Sequence, residues 1–143
     1  MPLDSDDISA IRRSWSLAAQ SGPMVAELFY GRLFRIAPAT RALFPETMGE
    51  QHRKLIVTLG FIVEHLEDHA ALLPAAEALA HRHVEYGVTA DQYAPVGEAL
   101  IWALRQLLGP RFAETDAHAW ATAYGVLSGA MIDSAYGSDA AER

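Results

Sequence analysis

Residues 78–88 read ALAHRHVEYGV, two histidines one residue apart in an otherwise apolar stretch. Imidazole binds metals and moves protons near neutral pH, so it matters which of the two faces inward. On a helix of about 100° per residue, Leu79 and His83 share a face, and Leu72 and Ala76 continue it backwards. His81 lies roughly 200° from Leu79 and points to solvent with Arg82. An HxH pair chelates a metal on a strand, where both side chains share a face; on a helix they diverge. His83 is therefore the candidate ligand.

Two readings of His83 stand side by side. It is a core histidine held by a backbone carbonyl, the usual fate of a buried polar group, or it is an axial ligand to a buried metal cofactor. The chain contains no cysteine, which excludes disulfides, iron–sulfur clusters and thiolate ligation. With one inward histidine and an all-helical chain of this size, the natural metal is haem iron. A gaseous ligand on the far side of a haem needs hydrogen-bond donors in an apolar wall. Gln51 and Leu55 lie one turn apart on one helix, and Tyr30 sits on the helix before it. Phe44 precedes a loop, where its ring can wedge against a planar cofactor. A rival metal site is His65 with His69, four apart on the same expected helix and flanked by Glu64 and Asp68. It has no third ligand and no HExxH pattern, and reads as a solvated face.

The elements that must carry these residues are helical throughout. Ile8, Ile11, Trp15 and Ala18 mark a helix over 6–20, ended by Gly22-Pro23. Pro23 opens the next, with Val25, Leu28, Phe29, Leu33 and Ile36. A short piece runs from Pro38 to Phe44-Pro45, and 45–50 (PETMGE) reads as a loop. A long helix over 51–68 is striped by Leu55, Leu59, Ile62, Val63 and Leu66. Pro74 is expected to open a helix reaching Tyr86, with Gly87 as its stop. Thr89-Ala-Asp-Gln92 has the capping-box pattern and starts a helix that Gly109-Pro110 breaks. A last helix covers 115–135. Strand alternation and hairpin signals are missing. About seven helices joined by short breaks must cross one another in a single domain over 1–143.

Composition excludes other classes. The 143 residues carry a net charge of −7, and the eleven Lys and Arg are scattered, so there is no basic face for nucleic acid. The acidic start MPLDSDDIS lacks the order of a signal peptide. Charge-free stretches fall short of the about 20 apolar residues that cross a bilayer. The expectation is a cytoplasmic protein with no membrane segment.

Taken in order, LFYGRLF (28–34), LFP (43–45), QHRKL (51–55), HRHVEYGV (81–88), YAPVGEAL (93–100) and AWATAYGVL (119–127) resemble the bacterial single-domain globins, similar to the haem domain of flavohaemoglobins. The resemblance implies the globin fold, a non-covalent haem b and His83 as proximal iron ligand. It implies Tyr30 and Gln51 as distal donors to bound ligand, Leu55 as the apolar residue crowding it, and Phe44 as the ring packed on haem. Tyr93 matches the proximal tyrosine, Lys54 is a candidate partner for a haem propionate, and Val88 and Val96 complete the expected cofactor-binding set. Gln51, Tyr30 or, after a one-residue slip, His52 could also reach the iron.

Two departures bear on activity. Flavohaemoglobins continue into flavin and nicotinamide domains, whereas this chain stops at Arg143, so an external reductase is expected. The family glutamate of the last helix falls at Ala135, with Asp133 about 200° round the helix. Without that carboxylate, donation through His83 to iron is weaker. The implied function is tight binding of O2, with CO and NO as further ligands and nitric oxide oxidation to nitrate when electrons are supplied. The alternative is a haem-based ligand sensor, or a sulfide- or NO-binding stress protein, acting through a separate partner. The expected assembly is a monomer or weak homodimer.

Overall fold

Asp4 and Asp7 close a reciprocal cap ahead of the first helix. The Asp7 amide donates to the Asp4 carboxylate at 2.8 Å, and the Asp4 amide to Asp7 at 3.3 Å. Two backbone donors with no intrahelical partner are thereby satisfied, and α1 (Ser5–Ala19) comes next. The computed structural model describes residues 3–142, with side chains as far as Tyr136. The remaining helices are α2 (Gly22–Ile36), α3 (Gly49–Glu64), α4 (His69–Glu85), α5 (Tyr93–Leu108) and α6 (Glu114–Glu142). Short 3-10 turns occupy Pro38–Leu43, Ala90–Gln92 and Gly109–Arg111. The Pro38–Leu43 turn is the short seventh helix expected from sequence, and no strand occurs among the described residues. Among those residues, no helix is long and apolar enough to cross a membrane.

The breaks have local causes. Gly87, at φ +91°, ends the α4 segment in a backbone conformation that side chains with a Cβ disfavour. Gln92 returns its side-chain oxygen to the Thr89 amide at 2.9 Å, the expected box ahead of α5.

Four expected boundaries shift, the last helix running to Glu142 rather than 135. The 45–50 loop is shorter, because α3 begins at Gly49 and takes Gln51 into its first turn. That helix ends at Glu64 rather than 68. Pro74 does not open α4 but lies inside it, because Asp68 caps the helix earlier by accepting from the Ala71 amide at 3.2 Å. Proline so near a helix start removes one hydrogen bond, and the apolar face from Leu72 to Leu79 keeps the preceding turn helical. These shifts dismantle the zinc alternative. His65 is the C-cap of α3 and His69 the first residue of α4, so they share no helix. No group of three His, Cys, Asp or Glu suited to a metal occurs among the described residues.

The closest helix pairs are α2 with α5, α4 with α6, α1 with α6 and α2 with α3. Gly97 lets α5 approach α6, since a Cβ there would lie 2.6 Å from the Tyr124 ring. In the main core Trp15 and Trp120 sit 6.2 Å apart, and the Trp120 indole N–H donates to the Ser14 hydroxyl at 2.7 Å. Both partners are buried. Ser14→Ala is expected to cost about 1–3 kcal/mol, because the indole N–H loses its partner where water cannot replace it. Urea unfolding of the variant reads this directly.

Candidate functional site

α3 and α4 are not a closely packed pair. A cleft of about 260 Å³ separates them, lined by Thr58 and Phe61 from α3, by Leu72, Leu79 and Arg82 from α4, and by Leu127 from α6. The buried residues fall into two clusters. The main one holds Tyr30, with Phe44, Leu55 and Val96 packed against it. The second holds Ala76, Ala80, Tyr93 and Met131, with Leu79, Val88 and Ala135 against it. The expected site residues thus divide between two apolar bodies rather than meeting in one.

On the first body, Tyr30 of α2 is 4% exposed, and Gln51 donates from Nε2 to its hydroxyl at 3.0 Å. Burial pushes the Tyr30 phenol above its usual pKa, against a smaller opposite pull from Gln51. The phenol therefore keeps its proton at neutral pH. Because its oxygen accepts from Gln51, its own O–H is free to donate elsewhere. Aromatic rings surround it: Phe29 at 4.8 Å and Phe44 at 5.4 Å meet it edgewise, Phe34 lies tilted at 5.9 Å, and His52 is parallel at 5.2 Å. Phe44 is placed by Arg41, whose guanidinium donates to the carbonyls of Phe44, Pro45 and Glu46 at 3.0–3.3 Å. Leu55 is half-buried one turn beyond Gln51, whereas Lys54 is exposed.

On the second body, His83 is half-buried on α4 and His81 is exposed, as the helix geometry requires. His83 Nδ1 lies 2.7 Å from the Leu79 carbonyl. A carbonyl only accepts, so Nδ1 carries the proton and Nε2 presents a lone pair. Burial lowers the His83 pKa, and the Arg82 charge adds to that effect while the Leu79 bond opposes it. The imidazole is therefore neutral at pH 7, the form that ligates a metal. The Tyr93 ring centre is 6.0 Å from that of His83. Among the described residues its hydroxyl is buried without a hydrogen-bond partner. Burial raises the Tyr93 pKa, and nearby Tyr136 raises it further. Ala135 packs in the same cluster, and Asp133 is exposed on another face. Among the described residues no carboxylate meets the Tyr93 hydroxyl.

The sequence reading missed three residues that place these groups. Tyr124 donates to the Tyr93 carbonyl at 2.6 Å and docks the start of α5 on α6. Tyr136 donates to the Val88 carbonyl, while the Val88 amide bonds the His83 carbonyl at 2.9 Å, so α6 holds the turn after His83. Arg41 is the third. Periodicity shows that Tyr124 belongs to a helix but not which carbonyl across the fold it reaches, and Tyr136 falls just past the expected helix end at 135.

A family model described as Globin matches residues 27–131. A flavohemoprotein of Bordetella parapertussis is 35% identical over 116 residues, covering 79% of this chain and 29% of that protein. One from Chromobacterium violaceum is 31% identical over 133 residues, 91% of this chain and 33% of its own length. The chain thus spans about a third of the curated relatives it matches. Among solved structures, a bacterial globin from Campylobacter jejuni superposes with a TM-score of 0.82 at 24% identity, covering 98% of this chain and 100% of that one. An engineered carbene transferase from Rhodothermus marinus superposes with a TM-score of 0.84 at 28% identity, covering 98% of each chain. With the family model spanning most of the helices, the chain belongs to the globin family.

Proposed function

We propose that the chain binds haem b in the cleft between α3 and α4, with His83 as the iron's protein ligand, and that it holds O2 tightly. One observation carries this reading: His83 Nδ1 is engaged by the carbonyl of Leu79, a residue whose side chain lines the cleft, and this leaves His83 Nε2 as a neutral, unused donor on that part of α4. The partnerless Tyr93 hydroxyl on the same side and the separation of the buried residues into two bodies also suit a large apolar group between them. Haem, when bound, would supply an iron able to bind a diatomic ligand and to exchange electrons with it.

The chain's own residues govern how that ligand is held. His83 donates through Nε2, with its ring oriented by Leu79. Tyr30 donates its O–H toward the ligand face, and the Gln51 amide behind it polarises that hydroxyl. Leu55 and Phe44 keep the face apolar, which strengthens the hydrogen bond by excluding water. Val88 and Val96 supply apolar contact from either body, and Lys54 is a solvated partner for a propionate. CO and NO suit the same face. Nitric oxide, O2 and one electron together balance to nitrate, so sustained nitric oxide oxidation requires electrons from outside residues 1–143.

The test is an optical titration with hemin, followed by reduction and CO. A strong Soret band that shifts on CO supports the reading; no Soret band at equimolar hemin removes it. The proximal side makes a second expectation. Ala135→Glu brings a carboxylate into the cluster that holds the Tyr93 hydroxyl. It is expected to lower the iron reduction potential, because negative charge passed toward His83 favours the ferric state. Spectroelectrochemistry of the two proteins compares them.

A further inference from the structure

We infer that His52 is a positioning residue for the distal donors: its ring, stacked on Tyr30, holds the Tyr30–Gln51 pair in register. This rests on the haem reading of the cleft. The His52 and Tyr30 rings are 5.2 Å apart and 5° from parallel, within the range of offset stacking. His52 follows Gln51 directly, so their side chains leave α3 about 100° apart. That divergence lets one helical turn hold Tyr30 twice. Gln51 takes the hydroxyl at the tip of the ring, and His52 covers its face.

Met48 packs against the main core, and Arg53 donates to Glu50 at 3.2 Å within the same turn, but neither contact engages the Tyr30 hydroxyl. Met48, at the N-cap of α3, makes no side-chain cap. Uncapped first turns fray, because their amides lack partners. The His52 amide does bond the Met48 carbonyl at 2.8 Å, and the two contacts with Tyr30 then tie this turn to α2. The other neighbours of Tyr30 do not substitute. Phe29 and Phe34 belong to Tyr30's own helix, and Phe44 precedes α3. Among the described aromatic neighbours of Tyr30, His52 is the one that belongs to the turn that carries Gln51. Losing it frees the ring and the amide together, so fewer molecules present the paired donors to a ligand.

The experiment compares His52→Ala and His52→Phe with the unaltered protein in the reduced, CO-bound state. The C–O stretch reads the distal hydrogen bond, and the O2 dissociation rate varies with it. We expect the alanine variant to gain a second, higher-frequency C–O band and to lose O2 several-fold faster. The phenylalanine variant keeps a flat ring on Tyr30 and is expected to retain the original band. An unchanged band in His52→Ala overturns the inference. So does a reduced spectrum that changes from six- to five-coordinate in both variants, since His52 is then an iron ligand and not a support. If the unaltered protein takes up no hemin, the haem reading itself has failed, and the Soret band shows this before any variant is made.

Discussion

His83→Gly is expected to reduce hemin affinity by more than about 100-fold, because altering a group that only supports a ligand already costs about 10–100-fold. The imidazole does two separate things. Nδ1 is committed to the Leu79 carbonyl at 2.7 Å, and only Nε2 remains to bind iron. His81 is exposed on the opposite face of α4, and the Tyr93 phenol has no nitrogen to offer. The measurement is a hemin titration followed at the Soret band, with far-ultraviolet circular dichroism to confirm that the helices persist. Added imidazole is expected to restore the spectrum, since it supplies the missing donor without the backbone link. His81→Gly is the matched control and should leave the titration unchanged. Undiminished hemin affinity in His83→Gly would mean that another residue ligates.

Tyr30→Phe is expected to speed O2 dissociation by about ten- to a hundred-fold, the worth of a hydrogen bond to a charged acceptor, about 1.5–3 kcal/mol. The direction of the Gln51 bond decides that Tyr30 matters more. Gln51 donates to the phenol oxygen at 3.0 Å, so the phenol proton points onward, and the raised pKa keeps it in place at neutral pH. In Tyr30→Phe the Gln51 amide is released and can donate for itself, which sets the lower end of the range. Gln51→Leu is expected to have a smaller effect. The double variant should be non-additive, because the two groups form one chain of hydrogen bonds. Stopped-flow displacement of O2 by CO measures all three. An unchanged rate in Tyr30→Phe would exclude it as the stabilising donor.

Much of the site was legible because its signals are local. A helix of 3.6 residues per turn places His83 with Leu79 whatever else surrounds it, and the structure adds only the bond between them. The family motifs extended this to Tyr30, Phe44 and Gln51, which the structure brings together. The i, i+4 pairing of His65 with His69 failed for the converse reason. It assumed a continuous helix, and the break at His65 is made by the Asp68 cap competing with periodicity. Pro74 misled similarly. Proline marks the first turn of a helix often enough to suggest a start there, but Asp68 and the apolar face of α4 set an earlier one.

Residue order alone determined the helical content, most of the breaks and the inward histidine, because each depends on side-chain type and spacing within a few turns; that Ala135 stands where relatives carry a glutamate came from the resemblance to the globins. Tertiary structure decided the rest: that α3 and α4 stand apart around a cleft, that Gln51 donates to Tyr30 and not the reverse, that His52 lies flat on that ring, and that Tyr124 and Tyr136 hold the start of α5 and the turn after His83 from α6. These contacts join residues from 21 to 48 positions apart. Hydrogen bonds and ring stacking at such separations depend on ångström-scale placement of whole helices, which spacing along a chain does not encode.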